Sequence, residues 1–364
     1  MEKTEQNLVD PTLKKNFNFV DTIRCISMMG IVFEHSATLW GAKYDSVGET
    51  ILQIASMQFF KFATVAFFLI GGFLINYKFT EYTPGNYIKR RFTNTIKPWL
   101  VWILVLVVAN FIQNWIVFKR GNNTGLFLND PITYFSNELK YILFESSFWF
   151  ILNFLICITI LLAFKKYLYK FWFGLVLLLC SLTYSFNLYT EWFVTHHSTA
   201  LFGFVFYLWL GVFLNRNFEK ITQFIKSISW EQMIGLNSVL FVLACAETYL
   251  LMTRGSHDEY NTLRITNILY SLSMFGLLLK VGDIKTVDRI LTPRQSTFGI
   301  YLIHQILIIR LLPELFKGEI LAVISSSVYL NIGFSVLRFL IVYGISFSIT
   351  KFLQKTRFKW IIGN

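Results

Sequence analysis

The chain has 364 residues, of which 55% are hydrophobic, 18% aromatic and only 15% charged, and its formal net charge is +12. A soluble domain carries about a quarter charged residues, and it could not also bury 39 Phe, 17 Tyr and 10 Trp; a water-soluble globule is excluded, as are disordered and collagen-like chains. The positive charge does not indicate nucleic acid, because the basic residues form small groups between apolar runs, as cytoplasmic loops of membrane proteins do.

A membrane-crossing helix needs about 20 mostly apolar residues. In chain order, ten runs qualify: residues 19–40, 51–77, 98–118, 141–164, 171–187, 199–215, 232–252, 263–280, 297–313 and 326–350. The fifth, sixth, eighth and ninth are short enough for one to be re-entrant or differently tilted. The first run is long and carries Asp21 and Arg24, so it reads as a retained span rather than a cleavable signal. Loops on one side hold 22 Lys and Arg, those on the other hold 6, and 5 lie inside spans. Both termini are therefore expected in the cytoplasm of a multi-pass inner or plasma membrane protein. The expected fold is an all-α polytopic bundle of about ten transmembrane helices: a cytoplasmic arm over 1–18, one transmembrane domain over 19–350 and a short basic tail over 351–364. Cys25, Cys157, Cys180 and Cys245 lie within apolar runs without CxxC spacing, and each reads as a small buried hydrophobe.

A charge at the bilayer centre costs about 2.5–3.5 kcal/mol on insertion scales, so each one calls for a partner or a function. The first run is the densest case, with Asp21, Arg24, Glu34 and His35. Asp21 and Arg24 are neighbours on one helix face. Arg24 and His35 are eleven residues apart, which returns to within roughly 20° of the same direction, about 16 Å further along the axis. A guanidinium near the cytoplasmic mouth and an imidazole near mid-depth would then line one groove. His35 is suited to take a proton near neutral pH, whereas Glu34 diverges by about 100° and can face another helix. The stretch Tyr87 to Arg91, with Lys97 and Pro98, sets cations at the cytoplasmic rim, where Arg90 and Arg91 could grip phosphates or simply fix topology. His304 is the second histidine within a run. Lys61, Glu247, Arg264, Arg310 and Arg338 should face the bundle or snorkel. His196, His197 and His257 fall in external loops and lack the ligand set of a zinc site, so no metal is expected.

These residues resemble the acyltransferase-3 family of integral membrane O-acyltransferases. Its first span typically bears Asp, two residues, Arg, ten residues and His, here Asp21, Arg24 and His35 in VDTIRCISMMGIVFEHS. Residues 67–75, FFLIGGFLI, are similar to the family's second span, with Gly71 where Ser is common. KRRFTNTIKPW at 89–99 is similar to its basic approach to the third span, although the usual RxxR is broken by Thr93 and Asn94. Phe148-Trp149-Phe150 and FGIYLIHQ at 298–305, containing Tyr301 and His304, also match, with Gln305 in place of a frequent Pro. The resemblance implies a cytoplasmic acyl-CoA donor, commonly acetyl-CoA, and a sugar, lipid-linked sugar or cell-envelope glycan acceptor; some relatives add a C-terminal hydrolase-like domain, which is not expected here because only about a dozen residues follow the last run. It also implies His35 as general base or acyl carrier, Arg24 held by Asp21 to orient the donor, and Arg90, Arg91 and Lys97 against the CoA phosphates. Intramembrane charges suit a transporter of lipid-linked saccharide or polysaccharide as well, and that alternative stays open.

Overall fold

A computed structural model describes residues 17–40, 42–81, 83–121, 129–193, 200–316 and 318–364; most of the predicted N-terminal arm, and His196 and His197, lie outside the described residues. Every regular element among the described residues is helical. Their order is α1 Asn18–Ser36, α2 Val47–Gln58, α3 Ala63–Glu81, α4 Pro84–Arg91, α5 Lys97–Lys119, α6 Pro131–Phe144, α7 Trp149–Ala163, α8 Phe171–Thr190 and α9 Leu201–Arg216. The chain continues through α10 Phe218–Ser227, α11 Trp230–Thr253, α12 Ile265–Val281, α13 Lys285–Leu291, α14 Pro293–Ile306, α15 Leu312–Leu315, α16 Gly318–Ser325 and α17 Val328–Gln354.

Among the described residues, six helical segments can cross a membrane by length and composition, or up to nine if three helix pairs bent by 65°, 89° and 96° each count as one span. The first predicted run, which forms α1, is not apolar enough, since it carries Asp21, Arg24 and Glu34. It is instead enclosed, packing against α3, α14 and α17 with most of its residues buried. A helix walled by other helices can hold charges that a lipid-facing one cannot. The predicted span at 141–164 is broken by the 65° bend between α6 and α7, where Ser146 Oγ turns back to the Ile142 carbonyl at 2.5 Å and accepts from the Phe148 N–H at 3.2 Å.

Two π-helical turns, Phe92–Ile96 and Leu307–Leu311, each end two residues before a proline, Pro98 and Pro313. Proline has no N–H and its ring clashes with the carbonyl four residues back, and widening the preceding turn relieves both problems. Close helix packing at the centre depends on glycine. A Cβ on Gly72 of α3 would lie 1.9 Å from the Leu208 carbonyl oxygen of α9, and one on Gly211 would lie 2.1 Å from the Leu69 carbonyl oxygen.

The buried charges that sequence alone could not pair all find partners. Arg264, with 0% exposure, donates to the Asn261 and Ala244 carbonyls at 3.0 and 2.9 Å and to Gln58 Oε1 at 2.6 Å. Glu247 accepts the Ile265 and Thr266 N–H groups at 3.1 and 2.9 Å, a carboxylate at the start of α12. Arg310 donates to Asn110, and Arg338 to the Ser36 carbonyl at 2.7 Å. The C-terminal tail is docked: Trp102 Nε1 donates to the Ile361 carbonyl at 2.8 Å and Asn364 to the Gln295 carbonyl at 2.9 Å.

Candidate active site

The residues of α1 at 24, 28, 31 and 35 follow the i, i+4, i+7, i+11 spacing of one helix face, and this stripe lines two cavities. The first, about 430 Å³, has Arg24, Met28 and Ile31 in its wall, with Arg91, Asn94, Thr95 and Arg294 around its polar part and Phe67, Phe150, Phe154 and Phe298 around its apolar part. The second, about 320 Å³, contains Ile31, Glu34 and His35 with Trp40, Lys61, Glu145, Ser147, Trp149, Asp258, Tyr260 and Asn261. Ile31, Phe150 and Tyr301 belong to both walls. The groove expected from helix geometry thus comprises two adjoining chambers with a common boundary, the partition, at Ile31, Phe150 and Tyr301.

Asp21 anchors the cationic chamber. One carboxylate oxygen accepts from Arg24 Nη1 at 2.7 Å and the other from Arg294 Nη2 at 2.8 Å. Asp288 also acts on Arg24 and Arg294 from nearby, so the chamber gathers three guanidiniums, with Arg91, against the carboxylates of Asp21 and Asp288. Arg91 is steered by its own helix: its Nε donates to Tyr87 Oη one turn earlier at 2.8 Å. Asn94 and Thr95 reach the chamber from the π turn before Pro98. Gly363 closes part of the wall with φ of +77°, where a Cβ would lie 2.6 Å from Phe298 and 2.9 Å from the Asn94 carbonyl oxygen.

In the second chamber Glu34 is paired with Lys61, Nζ to Oε1 2.5 Å, and the same ammonium lies 4.8 Å from the Trp40 ring centre. Lys61 is only 5% exposed and sits in the turn between α2 and α3. His35 stands with its ring centre 5.5 Å from that of His304, which is fully buried. Tyr301 donates its hydroxyl to the Ser147 carbonyl, fixing the partition to the α6–α7 bend.

Of the residues singled out in the sequence, Arg24, Arg91 and Tyr301 therefore line the cationic chamber, while Glu34, His35, Trp149 and again Tyr301 line the other. His304 lies behind His35. Arg90 is exposed and outside both walls, and Lys97 stands 4.4 Å over the Trp360 ring, also outside both. Arg294 was missed, because a cation in a basic loop reads as topogenic charge. The Lys61–Glu34 pair is not legible in the sequence, because 27 residues including all of α2 separate the two.

The described carboxylates, aromatic rings and imidazole of the second chamber suit a polyhydroxylated ligand, and the cations of the first suit an anion. Comparison with known proteins agrees with a membrane acyltransferase. The family profile described as an acyltransferase domain matches residues 17–351. Curated relatives include proteins named probable poly-β-1,6-N-acetyl-D-glucosamine export protein. That of Staphylococcus aureus strain Mu50 is 22% identical over 257 residues, 68% of this chain and 60% of the relative. That of Staphylococcus epidermidis is 26% identical over 154 residues, 39% of this chain and 41% of the relative. The chain thus spans 60% or less of the length of these relatives. No solved structure matches it. With the profile covering nearly all of the helical bundle that builds both chambers, the chain belongs to the acyltransferase-3 family of membrane acyltransferases.

Proposed function

We propose that the protein moves an acyl group, acetyl in the simplest case, from cytoplasmic acyl-CoA to a hydroxyl of a sugar or cell-envelope glycan. The observation that carries this reading is the single face of α1 that presents Arg24 to a cationic chamber and His35 to a polar, aromatic one. CoA phosphates would sit against Arg24, Arg91 and Arg294, with Asp21 holding two of these guanidiniums in place. The thioester would reach the partition at Ile31, Phe150 and Tyr301. The acceptor would occupy the second chamber, with apolar sugar faces against Trp40, Trp149 or Tyr260 and hydroxyls near Asp258, Asn261 and Thr262.

His35 acts as general base in this scheme. It takes the proton as the acceptor oxygen attacks the thioester carbonyl, and returns it to sulfur as the C–S bond breaks. A covalent acyl-His35 is the variant of the same chemistry. The membrane is the inner or plasma membrane, with both termini in the cytoplasm, as the Lys and Arg distribution supports. Radiolabelled acetyl-CoA and a β-1,6-linked N-acetylglucosamine oligosaccharide, chosen from the relatives' names, test the reading with protein in nanodiscs. His35→Ala should lower transfer by about 10²–10⁴-fold; equal transfer by both proteins would remove His35 from the chemistry.

A second reading, a transporter of lipid-linked saccharide or polysaccharide, is favoured by one observation: the similar staphylococcal proteins are named for export. Two chambers on either side of a partition also suit alternating access. Saccharide crossing a vesicle membrane without acquiring label would select it.

A further inference from the structure

His304 is fully buried on α14, and its Nδ1 lies 2.6 Å from the Tyr301 carbonyl oxygen. A carbonyl only accepts, so Nδ1 carries the hydrogen; in the neutral ring this leaves Nε2 as a lone pair. That nitrogen is buried and has no hydrogen-bond partner among the described residues. Unbonded buried polar atoms are rare and call for a reason. The neighbouring ring is His35, at 5.5 Å between centres with a 45° interplanar angle. Two imidazoles sharing an N–H···N bond of about 2.9 Å have centres at most about 5.2 Å apart, so the rings stand close to that spacing and the bond forms once the His35 ring turns a nitrogen toward Nε2.

We propose that His304 is a positioning residue for His35: its Nε2 accepts a hydrogen from one His35 ring nitrogen and so fixes the other as the proton acceptor facing the second chamber. The inference rests on His35 being the base. When His35 takes the acceptor proton, the positive ring keeps its N–H···Nε2 bond to His304, and the same proton leaves later to the thiolate sulfur. His304 itself gains and loses nothing. Tyr301, whose carbonyl sets the tautomer of His304, also forms part of the partition, so one helical turn ties the orientation of the base to the wall the acyl group must pass.

The test uses the full chain in nanodiscs with labelled acetyl-CoA and the same oligosaccharide. His304→Leu should lower kcat by about 100-fold while the acetyl-CoA KM stays within about twofold. His304→Gln, whose side-chain carbonyl reaches the place of Nε2, should recover at least about tenfold of that loss, whereas His304→Asn, whose carbonyl falls short, should not. Unchanged kcat in the leucine variant, or equal loss in the Gln and Asn variants, would overturn the proposal. A second readout needs no turnover. In ¹⁵N-histidine-labelled protein, His35 should show one tautomer with His304 present and a mixture with Leu or Asn there, and identical His35 signals would also overturn it. Failure of the wild type to transfer label would count against the transferase reading alone, because the nitrogen spectra still decide the pairing.

Discussion

Replacing Arg294 by alanine should weaken CoA binding, and the structure sets how much. Arg294 lines the cationic chamber, one of its Nη atoms holds Asp21 at 2.8 Å, and its side chain is 58% exposed. A unit charge pair at 4 Å is worth about 1 kcal/mol in bulk water and about 4 kcal/mol at a protein surface of intermediate dielectric. A half-exposed guanidinium facing a phosphate falls between these, at about 1.5–2 kcal/mol, or roughly ten- to thirtyfold in Kd. Arg91→Ala should cost a similar amount. Arg90→Ala and Lys97→Ala, outside the wall, should change Kd by less than about threefold, mostly through screened long-range attraction. Calorimetric titration of the nanodisc-held protein with CoA at two salt concentrations reads all four, and the Arg294 and Arg91 losses should shrink as salt rises. Equal weakening by Arg90→Ala and Arg294→Ala would refute the assignment of the chamber as the phosphate site.

Three further outcomes follow from packing and charge. Gly72→Ala would drive a Cβ to within 1.9 Å of the Leu208 carbonyl oxygen, so α3 and α9 must separate; thermal unfolding should show a loss of about 1–3 kcal/mol, while Gly85→Ala, with nothing within 4 Å, should show none. Glu34→Ala strands the Lys61 ammonium and should cost about 3 kcal/mol, whereas the double variant Glu34→Gln with Lys61→Met, which removes both charges together, should cost clearly less in the same assay. The Asp130 carboxylate at the start of α6 is held below its usual pKa, first by the Thr133 hydroxyl and then by its backbone N–H. A depressed carboxylate pKa stabilises above the unfolded value and loses that effect as pH falls through the folded one, so hydrogen exchange at the start of α6 should quicken only below about pH 4.

Much of the bundle was legible in the chain because apolar length is a strong signal: each of the ten runs contains a helix, and the spacing of Arg24 and His35 puts them on one face of α1. Periodicity gives direction around an axis, not what stands opposite it. The partition across that face comes from Phe150 and Tyr301, on helices more than 100 residues later in the chain. Breaks were harder to read. Within the apolar stretch 141–164 the polar triplet Glu145-Ser146-Ser147 marks the turn, where a serine hydroxyl satisfies the backbone, but three polar residues in a span read equally as bundle-facing positions. Pro98 reads as a helix start in the sequence, and the π turns before Pro98 and Pro313 appear only in the structure. Arg294 was invisible for a different reason, since a cation bound to Asp21 and one that merely sets topology have the same sequence.

In the proposed function, donor and acceptor meet from opposite chambers at Ile31, Phe150 and Tyr301. Its most direct measurement traps the oligosaccharide inside proteoliposomes and adds labelled acetyl-CoA outside. Label should appear on the enclosed sugar, carried only by molecules whose cationic chamber faces outward and lost with His35→Ala. Transfer that requires both substrates on the same side, or unlabelled sugar emerging from the vesicles, would contradict it.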